Sequence, residues 1–186
     1  YNMNKRTTKL NGVYILENDH FKDDRGIFSE IWNQENMLKH DLQYNFYQGN
    51  LSISKKNVIR GLHFQNQPYS QIKLVRVIKG KVLDIVVDIR KNSNTFGQHL
   101  AVELSEHNHL GLWIPTGFAH GFLSLEENSV FVYKCIGKYS SQHEHTIKWN
   151  DPGLKINWGI QNPIISEKDQ NGISLLKYSK DTLLHG

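Results

Sequence analysis

Two histidines sit where strand patterning could support chemistry. The stretch Asn57-Val58-Ile59-Arg60-Gly61-Leu62-His63-Phe64-Gln65 reads as a strand carrying an arginine and a histidine close together. Side chains alternate along a strand, so Arg60 and His63 share a face only if the backbone takes up an extra residue; Gly61 between them suits such a bulge. In a second stretch, Leu112-Trp113-Ile114-Pro115-Thr116-Gly117-Phe118-Ala119-His120, a Pro/Gly turn leads into a strand with another histidine. A strand histidine reads in two ways, as a satisfied core side chain or as a base that moves protons near neutral pH. A base needs an orienting carboxylate, for which Asp84, Asp88 and Asp169 are candidates, and proton exchange on two faces needs an acid opposite. Tyr133, inside an otherwise hydrophobic strand, is either that acid or a tyrosine at the rim of the core. Alternation around Asp84 leaves both of its directions open.

These side chains need strands to position them. Gly12–Leu16, Phe46–Ser54, Val58–Gln65, Ile72–Ile78, Val82–Ile89, Leu100–Leu104, Leu110–Pro115, Gly121–Leu125 and Ser129–Ile136 all carry strand patterning. Phe21 to Trp32 reads as a charged turn followed by an alternating strand, with Ile27, Ser29 and Ile31 on one face. Lys79-Gly80-Lys81 reads as a hairpin turn. One short helix is expected over Asn33–Asp41, and the segment 137–186 reads as loops with one short helix near its end. About nine or ten short strands joined by short loops indicate a sandwich or barrel. The expectation is one all-β domain over 1–186, with residues 1–11 as an N-terminal arm and 137–186 as a loop-rich C-terminal segment.

Composition narrows the function classes. The 186 residues carry a net charge of +4, with lysines and arginines scattered rather than in one tract. That balance suits a small anionic ligand better than nucleic acid. No apolar run approaches the ~20 residues of a membrane span. The first nine residues are polar and basic with no hydrophobic segment behind them, so no signal peptide is expected. The single cysteine, Cys135, excludes an intrachain disulfide and suits a reducing cytoplasm.

Pro115-x-Gly117-x-x-His120 between strands resembles the second motif of the cupin superfamily, whose jelly-roll barrel holds ligands inside. The first cupin motif would supply His-x-His and then Glu as metal ligands. Gln65 stands where the second histidine would be, and no glutamate follows until Glu103. His63 and His120 alone make too small a ligand set for a tightly held transition metal, so no metal is expected. His99, His107, His109, His143, His145 and His185 lie mostly in polar stretches and read as surface histidines.

Taken together, Arg25-Gly26 to Glu30, Lys55 to Gln65, Lys73 to Arg76, Asp84 to Arg90, Thr95 to Gly97, Trp113 to Phe122, Tyr133-Lys134, Trp149 to Asp151 and Ser166 to Asp169 occur in one order. This series resembles the dTDP-4-dehydrorhamnose 3,5-epimerase family over roughly residues 12–176. The resemblance implies an epimerase without metal or cofactor, acting through an enolate on a dTDP-4-keto-6-deoxyhexose in L-rhamnose biosynthesis. It implies His63 as base, Asp169 as its carboxylate partner, Tyr133 as acid, and Lys73 with Arg60 or His120 against the 4-keto oxygen. It further implies that Arg25, Glu30, Gln48, Asn50 and Arg60 contact the dTDP portion, that Tyr139 stacks on thymine, and that Glu144 and Lys168 edge the same pocket. A homodimer with exchanged N-terminal strands is implied as well. One departure stands out: Gly49 replaces the aspartate the family commonly has between Gln48 and Asn50, which puts the contacts of that position in doubt. An epimerase of one centre, or of another nucleotide sugar, is the nearest alternative. A metal-dependent cupin and a non-catalytic sugar-binding cupin are the others.

Overall fold

The structure is a computed structural model covering residues 1–186. In chain order its elements are β1 (Met3–Thr7), β2 (Tyr14–Asn18), β3 (His20–Asp23), β4 (Gly26–Ser29), α1 (Gln34–Lys39), β5 (Gln48–Ser54), β6 (Ile59–Gln65), β7 (Ile72–Lys79), β8 (Lys81–Asp88), β9 (His99–Ser105), β10 (Gly111–Ile114), β11 (Phe118–Ser124), β12 (Ser129–Ile136), β13 (Glu144–Thr146), α2 (Glu167–Gln170) and α3 (Leu175–Lys180). β3 and β4 pair as a separate two-stranded hairpin, and the other eleven strands form two facing sheets. One has six strands in the order β1-β2-β10-β7-β12-β5; the other has five, β13-β6-β11-β8-β9. This agrees with the sandwich or barrel expected from the strand series and with the jelly roll implied by the cupin resemblance, with short peripheral helices.

The groups in which the buried side chains pack show which side of each strand meets the other sheet. Val75, Val77, Val82, Val86, Leu104, Leu112, Ile114, Phe118, Phe122 and Phe131 meet between the sheets in one apolar core. On β8 the residues between, Ile85 and Val87, point to the opposite side, where Leu154, Trp158 and Tyr178 of the C-terminal segment cover the five-stranded sheet. Asp84 therefore faces the interior with Val82 and Val86, which settles the direction that alternation left open. The loop-rich segment is a lid over an apolar sheet face; full burial of each such side chain is worth ~1.5–3 kcal/mol.

Several expectations need correction. Gly80, with φ +77°, does turn the chain, but β7 and β8 lie in different sheets, so the turn is an arch and not a hairpin. Turn residues look alike in both cases, and non-local pairing decides between them. The arm contains β1, paired antiparallel to β2 from Met3↔Asn18 to Thr7↔Tyr14. The charged turn joins two strands, β3 and β4, and the second ends at Ser29. The C-terminal segment holds β13 and two helices, where one helix was expected. His145 lies in β13 against the Phe64 ring, and His99 lies in β9, so these two histidines are on strands.

Candidate active site

At one end of the interior the apolar core gives way to polar side chains around a cavity of about 220 Å³. Arg60, His63, His120 and Glu144 reach it from the five-stranded sheet, and Ser52, Lys73 and Tyr133 from the six-stranded sheet. Phe122 and Phe131, with ring centroids 4.3 Å apart, form its apolar wall. A ligand between the sheets would have a histidine on one side and a tyrosine on the other.

Gly61 makes this possible. Along β11, His120 pairs with His63 and Phe122 with Arg60, so three steps on β6 answer two on β11, which is a bulge of one residue. Arg60 and His63 both enter the cavity, as the spacing suggested. Gly61 has φ +132°, and a Cβ there would lie 2.6 Å from Gly121 Cα. A Cβ on Gly121 would lie 2.5 Å from the Arg60 carbonyl oxygen. Two glycines thus let two backbones approach where any side chain would force them apart.

Asp169, on α2 and 4% exposed, accepts a hydrogen bond from His63 Nε2 at 2.7 Å through Oδ1. Its Oδ2 accepts from the Gly61 N–H at 3.0 Å. Burial works against its charged form, but the bond from His63, that ring's charge and the Gly61 bond hold its carboxyl below the usual range. An ionised Asp169 fixes the proton on Nε2 and leaves Nδ1 as an acceptor. A second histidine–carboxylate couple lies beside the first: His120 Nε2 bonds Asp84 Oδ2 at 2.8 Å, and Asp84 is fully buried. Of the candidate carboxylates, Asp88 lies elsewhere. It is bound by Arg90, Ser93 and Thr95 in the turn after β8.

Across the cavity, desolvation pushes the Lys73 ammonium down, against the pull of Cys135, Glu144 and Asp84. Its Nζ lies 6.0 Å from the centroid of the Tyr133 ring. Burial pushes the Tyr133 phenol up, with Cys135 and Glu144 adding to the shift and Arg60 opposing it. Tyr133 therefore holds its proton at neutral pH, as an acid must. At the mouth, the Tyr139 hydroxyl donates to Glu144 Oε2 at 3.1 Å, and Lys168 Nζ bonds the same oxygen. Gln48 and Asn50 are hydrogen-bonded to each other at 2.9 Å on β5, next to the strand that carries Tyr133. Gly49 points to the outer face of the sheet, and a Cβ there would meet nothing within 4 Å. Its loss of a carboxylate does not alter the cavity wall.

Of the sequence-identified residues, Gln48, Asn50, Tyr139 and Lys168 do not line the cavity itself, and Arg25 and Glu30 lie among the N-terminal elements. Arg25, whose side chain is 91% exposed, pairs with Asp23 at the tip of the β3–β4 hairpin. Glu30 accepts hydrogen bonds from Asn33 and Asn36 at the start of α1. Gln65, at the missing metal-ligand position, donates to the carbonyls of Tyr69 and Lys138 and accepts from the Ser140 N–H, so its amide braces loops. Sequence reasoning missed Ser54, whose hydroxyl accepts from Arg60 Nε at 3.0 Å. A serine ending a strand carries no signal of that contact.

The chain matches known proteins along nearly its whole length. A family model described as dTDP-4-dehydrorhamnose 3,5-epimerase covers residues 7–177. A Shigella flexneri protein of that description is 47% identical over 91% of this chain and 94% of its own. A Legionella pneumophila 3,5-epimerase crystallised with dTDP-4-keto-L-rhamnose is 39% identical and superposes with a TM-score of 0.92, covering 98% of this chain and 97% of that one. A 3'-monoepimerase from Streptomyces bikiniensis, in complex with dTDP-quinovose, is 28% identical with a TM-score of 0.91, over 96% and 91% of the two chains.

Proposed function

This chain belongs to the dTDP-4-dehydrorhamnose 3,5-epimerase family, and on that premise we propose how its cavity works. The protein is an isomerase that inverts C3 and C5 of dTDP-4-dehydro-6-deoxy-D-glucose to give dTDP-4-dehydro-L-rhamnose. The 4-keto group acidifies both C–H bonds. His63 Nδ1 removes a proton from one face, the electrons pass onto the 4-keto oxygen as an enolate, and Tyr133 returns a proton to the carbon from the other face. Asp169 holds the imidazole in the basic tautomer and stabilises the imidazolium that forms. Lys73, desolvated on the Tyr133 side, stabilises the enolate oxygen, a role in which one donor is worth roughly 3–4 kcal/mol. His120, held by Asp84, contacts the sugar. The observation that carries this reading is His63 on one sheet, coupled to Asp169 of α2, facing Tyr133 and Lys73 on the other sheet.

At the mouth, Arg60 and Lys168 meet the diphosphate, Tyr139 stacks on thymine, and Gln48, Asn50 and Glu144 bond the nucleoside. Arg25 and Glu30 would reach a nucleotide only from a second copy whose N-terminal strands are exchanged. Supporting such a homodimer are the exposed apolar side chains of the hairpin, Phe21, Ile27 and Phe28, and the unpaired outer edge of β5. No helix is long and apolar enough to cross a membrane, and the one cysteine is buried and free, which suits a cytoplasmic protein. Incubation with dTDP-4-dehydro-6-deoxy-D-glucose in D2O, followed by NMR, tests the reading. Deuterium at both C3 and C5 is expected; label at one carbon would make the protein a single-centre epimerase, and label at neither would overturn the activity.

A further inference from the structure

Two cavity cations, Lys73 and Arg60, are held by no acidic group, and of these only Arg60 can grip a phosphate through two nitrogens. It is in no salt bridge, whereas Lys168 is paired with Glu144. Its only side-chain hydrogen bond runs from Nε to Ser54 Oγ at 3.0 Å. Ser54 ends β5 in the six-stranded sheet and is 1% exposed, while Arg60 lies in β6 of the five-stranded sheet. The bond therefore spans the arch that joins the two sheets. A guanidinium is planar, so fixing Nε fixes the plane and leaves both terminal nitrogens free for a bidentate grip on a phosphate. Glu144 lines the same cavity, and a guanidinium free to turn could pair with that carboxylate, which would offset its charge.

We propose that Ser54 is a positioning residue for substrate binding: its hydroxyl aims the Arg60 guanidinium at the diphosphate and keeps it from Glu144. This rests on the reading that the cavity takes a dTDP-sugar. Ser54 touches no reacting atom, so its removal acts on binding and leaves the proton transfer in place. Arg60 also opposes the upward push on the Tyr133 phenol, so its position is felt at the far wall as well.

Ser54→Ala removes one buried hydroxyl and nothing else, and the unsubstituted protein can be compared with it directly. Titration calorimetry with dTDP, together with kinetics on the 4-keto sugar, is expected to show about tenfold weaker dTDP binding, or ~1.4 kcal/mol. KM should rise in parallel, with kcat within about threefold and the melting temperature little changed. In an Arg60→Ala background the same Ser54→Ala change is expected to add nothing, because both act through one guanidinium. Undiminished dTDP affinity in Ser54→Ala, or losses that simply add in the double variant, would overturn the role of Ser54 alone. Failure of the unsubstituted protein to bind dTDP would instead remove the functional reading beneath it.

Discussion

Replacing Asp169 by asparagine changes one oxygen into an NH2 group, and the structure determines which one. Asp169 now accepts twice, from the Gly61 N–H at 3.0 Å and from His63 Nε2 at 2.7 Å. An asparagine has a single oxygen. If the oxygen stays against the Gly61 N–H, the NH2 donates to Nε2, the ring proton moves to Nδ1, and the nitrogen facing the substrate is no longer a base. If the amide turns over, the Gly61 N–H is buried against another donor, which costs roughly 1–3 kcal/mol. The productive arrangement is thus populated about 10- to 100-fold less. Loss of the carboxylate also removes a charge-assisted bond to the imidazolium, worth roughly 1.5–3 kcal/mol, or another factor of about ten to a hundred. The expected fall in kcat/KM is about 10²- to 10⁴-fold, the upper end matching the known loss on the same change in a serine-protease triad. dTDP binding should be nearly unchanged. Steady-state kinetics and dTDP titration on Asp169→Asn check this, and a loss under about fivefold would refute the tautomer reasoning.

Three further outcomes are expected. Tyr133→Phe should deplete the doubly inverted product more than C–H exchange, because the base remains while the acid across the ring is gone; NMR of products and of label distinguishes the two. Asp88 has its pKa lowered from 3.8 to about 2, with burial opposed by bonds from Arg90, Ser93 and Thr95. A depressed carboxyl stabilises the fold above its unfolded pKa and ceases to do so as pH falls through the folded value, so the contribution, on the order of 2 kcal/mol, should vanish between about pH 4 and 2. Asp88→Asn should accordingly melt lower at pH 7 and converge with the unsubstituted protein near pH 2. Gly61→Ala puts a Cβ 2.6 Å from Gly121 Cα at φ +132°, so denaturant unfolding should show a loss of at least ~2–3 kcal/mol.

How far the site was legible depended on what each residue needed. The bulge was readable because alternation forbids Arg60 and His63 from sharing a face and one of the two residues between them is a glycine. Asp84 was not, because a strand buried on both sides has no polar face to set its direction; the C-terminal segment that covers Ile85 and Val87 settles it from more than sixty residues away. Gly80 was misread as a hairpin because a positive-φ glycine serves an arch equally well. Asp88 was one of three candidate orienting carboxylates, yet its neighbours Arg90, Ser93 and Thr95 are a local hydrogen-bonding set that turn chemistry alone explains. His63, Tyr133, Lys73 and Asp169 were assigned together only through the family resemblance. The geometry brings those four to one cavity region, while Arg25 sits at the tip of the β3–β4 hairpin and Glu30 at the start of α1.

Solvent deuterium wash-in by the His63→Ala variant tests the proton-transfer account most directly. With dTDP-4-dehydro-6-deoxy-D-glucose in D2O, the unsubstituted protein is expected to label C3 and C5, and His63→Ala, still binding dTDP, is expected to label neither above the uncatalysed background. Full retention of exchange at either carbon in the variant would contradict His63 as the base.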